Sequence, residues 1–116
     1  MRRATAVFAT AVIALIVTGG SSALGGASKT VDVDDDFFEP ASLTIKEDTT
    51  LKFNWVGIND HNIQWEAGPG PYFQSENHDE PGINYKRRFK KPGNYILGCF
   101  IHPDMNLALK VKRRRN

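Results

Sequence analysis

The stretch Pro92-Gly93-Asn94-Tyr95-Ile96-Leu97-Gly98-Cys99-Phe100-Ile101-His102-Pro103-Asp104-Met105 decides the fold. Pro92-Gly93-Asn94 is a strong turn signal. After it Tyr95, Leu97 and Cys99 fall on alternate positions, and successive strand side chains point to opposite faces. They therefore read as one buried face of a strand. Pro103 has no N–H to give to a central ladder, so the chain is expected to turn there.

The same period of two recurs on either side. Leu43 and Ile45 alternate with Ser42, Thr44 and Lys46. Leu51, Phe53 and Trp55 alternate with Lys52 and Asn54, and Ile63 and Trp65 share parity with His61. Leu107, Leu109 and Val111 alternate with Ala108, Lys110 and Lys112. Trp55 and Trp65 are accordingly expected in the core. Turn signals at Glu47-Asp48 and from Gly57 to Asp60 divide these runs, and no sustained helical stripe follows residue 27. Residues 67–82, rich in Gly, Pro, Asn and acid, read as a loop with a short irregular strand near Tyr72-Phe73. Short strands at close spacing without helices predict an all-β, Greek-key antiparallel β-sandwich of about seven to eight strands.

The chain has 116 residues, 41% hydrophobic and 24% charged, which is one domain of ordinary globular balance. Residues 1–27 stand apart from it. Arg2 and Arg3 precede an apolar run from Ala4 to Val17 and a small-residue stretch ending at Ala27. This three-part pattern predicts a secretory signal peptide cleaved after Ala27. The apolar core is short for a span, which needs about 17–25 residues, so no stable membrane insertion is expected after cleavage. The expected organisation is a leader at 1–27, a β-sandwich domain at 28–111 and a basic, frayed tail at 112–116. The destination is periplasmic or otherwise extracytoplasmic.

Arg2 and Arg3 are the only charges before Ser28, so the remainder carries 13 basic and 13 acidic residues. A nucleic-acid surface would need a net basic balance, and that class is set aside. The charges are nonetheless uneven: Asp32, Asp34, Asp35 and Asp36 open the domain, while Lys86, Arg87, Arg88, Lys90 and Lys91 cluster late. That late cluster is read as a solvated face that could meet an acidic redox partner, since complementary charge speeds encounter. A single cysteine excludes an internal disulfide. A domain of this size without one gains from a bound metal.

Cys99, His102 and Met105 set a thiol, an imidazole and a thioether within seven residues, and His61 lies 38 residues upstream of Cys99. Thiolate and thioether are soft donors. Two His and one Cys with a weak axial Met describe a blue-copper electron-transfer site, whereas zinc sites favour more cysteine or a carboxylate. His61, Cys99, His102 and Met105 are the candidate metal ligands. His78, in a polar stretch with Asp79 and Glu80, reads as an exposed histidine without a metal role.

These residues resemble the cupredoxins of the plastocyanin, amicyanin and pseudoazurin type, over about Val31 to Val111. Phe38-Glu39-Pro40-Ala41-Ser42-Leu43-Thr44-Ile45 looks like the family's opening strands. Asn59-Asp60-His61-Asn62-Ile63 looks like the segment of the first histidine ligand, and Cys99 to Met105 like the remaining ligand loop, with a spacing similar to amicyanin. The resemblance implies one type 1 copper, with His61, Cys99 and His102 as strong ligands and Met105 as the axial one. It implies a hydrogen bond from the Asn62 N–H to the Cys99 sulfur, and an apolar surround from Phe100, Ile101 and Pro103 with His102 as electron port. The implied function is a monomeric, exported electron carrier, not an enzyme, passing single electrons between redox partner proteins that dock near His102. A copper-delivery or sensor protein of the same fold is the alternative.

Overall fold

The computed structural model describes residues 26–114. The leader proposed for 1–27 lies almost wholly outside the described residues. Eight strands follow in order: β1 (Ser28–Asp34), β2 (Phe37–Glu39), β3 (Ser42–Lys46), β4 (Thr49–Trp55), β5 (Gln64–Ala67), β6 (Gly82–Phe89), β7 (Gly93–Cys99) and β8 (His102–Lys112). They form two four-stranded sheets, β2-β1-β4-β6 and β3-β8-β7-β5. The expected β-sandwich is present. Each sheet also holds one parallel pair, β1 with β4 and β3 with β8.

Alternation supplies the core between the sheets. In β4 Thr49, Leu51, Phe53 and Trp55 are buried while the residues between them are not. In β8 Met105, Leu107, Leu109 and Val111 point inward beside Leu97 of the neighbouring β7, and share one apolar cluster with Val31 and Val33 of β1 in the other sheet. Trp65 is only partly buried against that cluster, because its indole N–H reaches out to the Pro69 carbonyl at 2.9 Å.

Two elements depart from the sequence pattern. The inward side of β6 is made by Tyr85, Arg87 and Phe89. The Arg87 guanidinium lies 3.9 Å from the Phe73 ring centre, so a charged residue covers apolar surface with its stem and its planar head. The tail is not frayed up to Arg114. Lys112 pairs with Lys46, the Arg114 N–H donates to the Glu47 carboxylate at 3.1 Å, and the Arg114 guanidinium bridges Asp48.

The registers give the sandwich two distinct ends. Trp55 of β4, Gly82 of β6, Cys99 of β7 and His102 of β8 lie at one end. Thr49, Phe89, Gly93 and Val111 lie at the other. The β3–β4 turn crosses between the sheets there, held to one by Glu47 N–H to Lys112 C=O and to the other by Asp48 N–H to Phe89 C=O. Among the described residues, no helix is long and apolar enough to cross a membrane.

Candidate metal centre

β7 delivers Cys99 to the first end with its side chain inward and 1% exposed. The chain reverses at Phe100-Ile101, and Cys99 pairs directly with His102. The turn therefore comes two residues before Pro103, which sits second in β8. The reversal is tight enough to bring His102 Nδ1 to 3.6 Å from Cys99 Sγ. Met105 follows on the inward parity of β8 and is 1% exposed.

His61 arrives from a different part of the chain. It precedes β5 and belongs to an isolated bridge rather than to a strand: His61 and His78 exchange two backbone hydrogen bonds, both 3.0 Å. The segment around them is pinned further. Ser75 N–H donates to the Ile63 carbonyl at 2.7 Å, and Ile63 N–H donates to Ser75 Oγ at 2.9 Å. The His61 ring is completely buried and its Nδ1 lies 3.9 Å from Cys99 Sγ. Donor atoms of His61, Cys99 and His102 all fall within 4.8 Å of one another.

His78 is not the exposed histidine expected from its polar neighbours. Its side chain is 22% exposed, its ring packs edge-on to Trp55 at 5.5 Å, and its backbone clamps His61. Asn62 also makes a contact that the sequence did not suggest. Its side-chain Oδ1 accepts from the Phe100 N–H at 2.7 Å, which fastens the turn after Cys99 to the segment that carries His61.

The outer nitrogens of both histidines meet carboxylates that the sequence reading treated only as charge. His61 Nε2 lies 3.1 Å from Asp35 Oδ1, and His102 Nε2 lies 3.2 Å from Asp36 Oδ1. Asp35 is itself fixed by the N–H groups of Ile58 and Asn59, at 3.0 and 2.9 Å. Those two backbone donors, and then the His61 ring, hold the Asp35 carboxyl below the usual carboxylate range. A carboxylate acceptor selects the imidazole tautomer that donates from Nε2, and in that tautomer Nδ1, the atom facing Cys99 in both rings, is free to bind a metal. Outer partners of this kind orient metal-binding imidazoles and raise their basicity.

The donor chemistry suits a soft, redox-active metal. One sulfur and two imidazole nitrogens converge, with a thioether buried three residues beyond the second imidazole. That set matches copper better than zinc. The surround is apolar and partly open: Phe100 is 75% exposed and Ile101 41%, and the His102 side chain is 28% exposed.

No protein-family model matches the sequence, and no curated protein matches it. Solved structures do. An oxidised amicyanin variant aligns over 77% of this chain and 85% of its own, at 22% identity and a TM-score of 0.65. A reduced amicyanin variant aligns over 79% and 89%, at 20% identity and a TM-score of 0.67. A copper-containing nitrite reductase from Thermus scotoductus is 26% identical, with a TM-score of 0.63, over 74% of this chain but only 22% of the enzyme. The chain has the cupredoxin-like β-sandwich fold.

Proposed function

We propose that this chain is an exported carrier of single electrons with one type 1 copper, held by His61, Cys99 and His102 and more weakly by Met105. The observation that carries the reading is the convergence of His61, Cys99 and His102 donor atoms within 4.8 Å at one end of a rigid sandwich. Copper bound there would alternate between Cu(II) and Cu(I). The chain's own contribution is to hold the donors still. Cys99 and Met105 are fixed by paired strands, and His61 by the His78 bridge and the Asp35 carboxylate. Ligands held this way rearrange little between oxidation states, which favours fast transfer.

His102 is the route in and out, because its ring is the one partly exposed group among the four. A delivery protein would need donors open to an incoming chelator. Here His61, Cys99 and Met105 are each no more than 1% exposed, which favours a carrier. Export rests on the leader pattern of residues 1–27, and the amicyanin-like fold agrees with a non-enzymatic role. The decisive test is the visible spectrum of the chain loaded with Cu(II), beside Cys99→Ser. An intense thiolate-to-copper band, absent in the variant, with reversible one-electron reduction, supports the carrier. A pale spectrum unchanged by the variant removes Cys99 as a ligand and the carrier with it.

A further inference from the structure

The overall neutrality from Ser28 onward conceals a separation of charge along the long axis of the sandwich. Among the described residues, every lysine and arginine lies in the half away from the metal centre or at its midline. Lys52 and Lys86 face each other at the middle of β4 and β6. Lys29 pairs beside Leu51, and Arg88 beside Thr50. Lys90 and Lys91 lie in the turn between β6 and β7, and Lys46, Lys110, Lys112, Arg113 and Arg114 at the far ends of β3 and β8.

The acids are distributed in reverse. Asp34 ends β1, and Asp35 and Asp36 form the β1–β2 turn beside the two histidines. Asp60 adjoins His61, and Asp104 lies between His102 and Met105. Asp79 and Glu80 follow the His78 bridge. Glu66 lies beside the middle of β7, and among the described residues Glu47 and Asp48 alone stand at the far end. Both are already engaged: Glu47 by the Arg114 N–H, Asp48 by the Arg88 and Arg114 guanidinia at 3.4 Å. At about 3.3 Å per strand residue, Lys112 is roughly 30 Å from His102. The Debye length at physiological salt is about 8 Å, so the basic end does not screen the acidic one. A partner approaching His102 meets the acids first, and the nearest lysines, Lys52 and Lys86, stand at the midline.

The acidic end also has an apolar centre. Ile58, on the loop bound by Asp35, is 83% exposed, and Phe100 and Ile101 adjoin His102. An apolar patch with a charged rim is the anatomy of a docking surface. We infer that the metal end docks a redox protein presenting a basic rim around its own electron entrance, and that the Lys86–Lys91 face takes no part in that encounter. This deepens the proposed function and rests on it. It departs from the sequence expectation of an acidic partner near His102, because the basic cluster runs from the midline to the end away from His102.

Two measurements on the full chain test the inference. In the copper-free chain, hexaamminechromium(III) should broaden the amide signals of residues 34–36, 60 and 104, and not those of 86–91. Broadening spread evenly over the surface, or centred on 86–91, overturns it whether or not copper binds. In the copper-loaded, reduced chain, oxidation by tris(phenanthroline)cobalt(III) should slow about threefold or more as ionic strength rises from roughly 0.01 to 0.2 M. Oxidation by ferricyanide should accelerate. A lysine-rimmed c-type cytochrome should follow the cationic complex. Asp60→Asn with Asp104→Asn should flatten these dependences, and Lys86→Gln with Lys90→Gln should leave them unchanged. The opposite salt signs, or a response only to the lysine variants, overturn the inference. A chain that never develops the blue band instead overturns the copper reading and leaves the chromium map to decide the surface.

Discussion

Gly57 has no Cβ, and one built there would stand 2.7 Å from the Asp35 backbone nitrogen and closer still to its carboxylate. That absence lets Asp35 lie over the loop and reach Ile58, Asn59 and His61 together. The site depends on residues that touch no metal. Asp35→Asn keeps an acceptor for the loop N–H groups but loses the charge beside His61 Nε2. Outer-partner changes at metal sites commonly weaken binding by about 10–100-fold, and a copper titration against a competing chelator should show a loss in that range. Gly57→Ala should weaken copper in the same assay by displacing Asp35, without removing any carboxylate. If affinity is unchanged in both, the His61 ring is held by its backbone bridge alone.

At the scale of elements, the turn from β6 into β7 is closed by one phenol. Tyr95 is inward and buried, and its O–H donates to the Lys91 carbonyl at 2.7 Å. Tyr95→Phe should cost about 1 kcal/mol in urea unfolding. Burial pushes the Tyr95 phenol above its ordinary value of 10.0. The folded state thus holds this proton more tightly than the unfolded chain. Its contribution is complete below about pH 10 and is lost as pH rises through the higher folded value, so the gap between wild type and Tyr95→Phe should narrow in alkali. Within the sandwich, Phe53 is fully buried on β4, and Phe53→Ala should cost about 3–5 kcal/mol by the same measurement. Asp48 shows the contrast. Its bridges to Arg88 and Arg114 join groups more than half exposed on the arginine side, and Asp48→Asn should change stability by no more than about 1 kcal/mol.

For the whole molecule, the sheets converge on a metal site at one end and are joined by the β3–β4 turn at the other. The domain is small and has no disulfide. Metal binding to the folded state alone adds stability by mass action, about 4 kcal/mol at a thousand times the dissociation constant. Copper loading should therefore raise the melting temperature in scanning calorimetry, and Cys99→Ser should abolish most of that rise while leaving the apo melting temperature nearly unchanged. The segregated charges act at this scale too, since they orient the molecule before contact rather than tighten any one bond.

Strand parity is a local property, so the buried faces around Leu51, Phe53, Leu97, Leu107 and Leu109 were legible in the sequence, as was the donor chemistry packed between Cys99 and Met105. β6 was harder to see because Arg87 occupies an inward position that its partner Phe73 makes tolerable. His78 looked exposed because its anchor, the His61 backbone, is 17 residues away in the chain. The same limit hid Asp35 and Asp36, which meet histidines 26 and 66 residues downstream. Sequence by itself determined which residues could build a β-sandwich and a copper site, because period and ligand type are written in neighbouring positions. Tertiary structure alone decided which carboxylates orient the histidines and that acid and base occupy opposite ends, because both follow from strand registers between segments far apart in the chain.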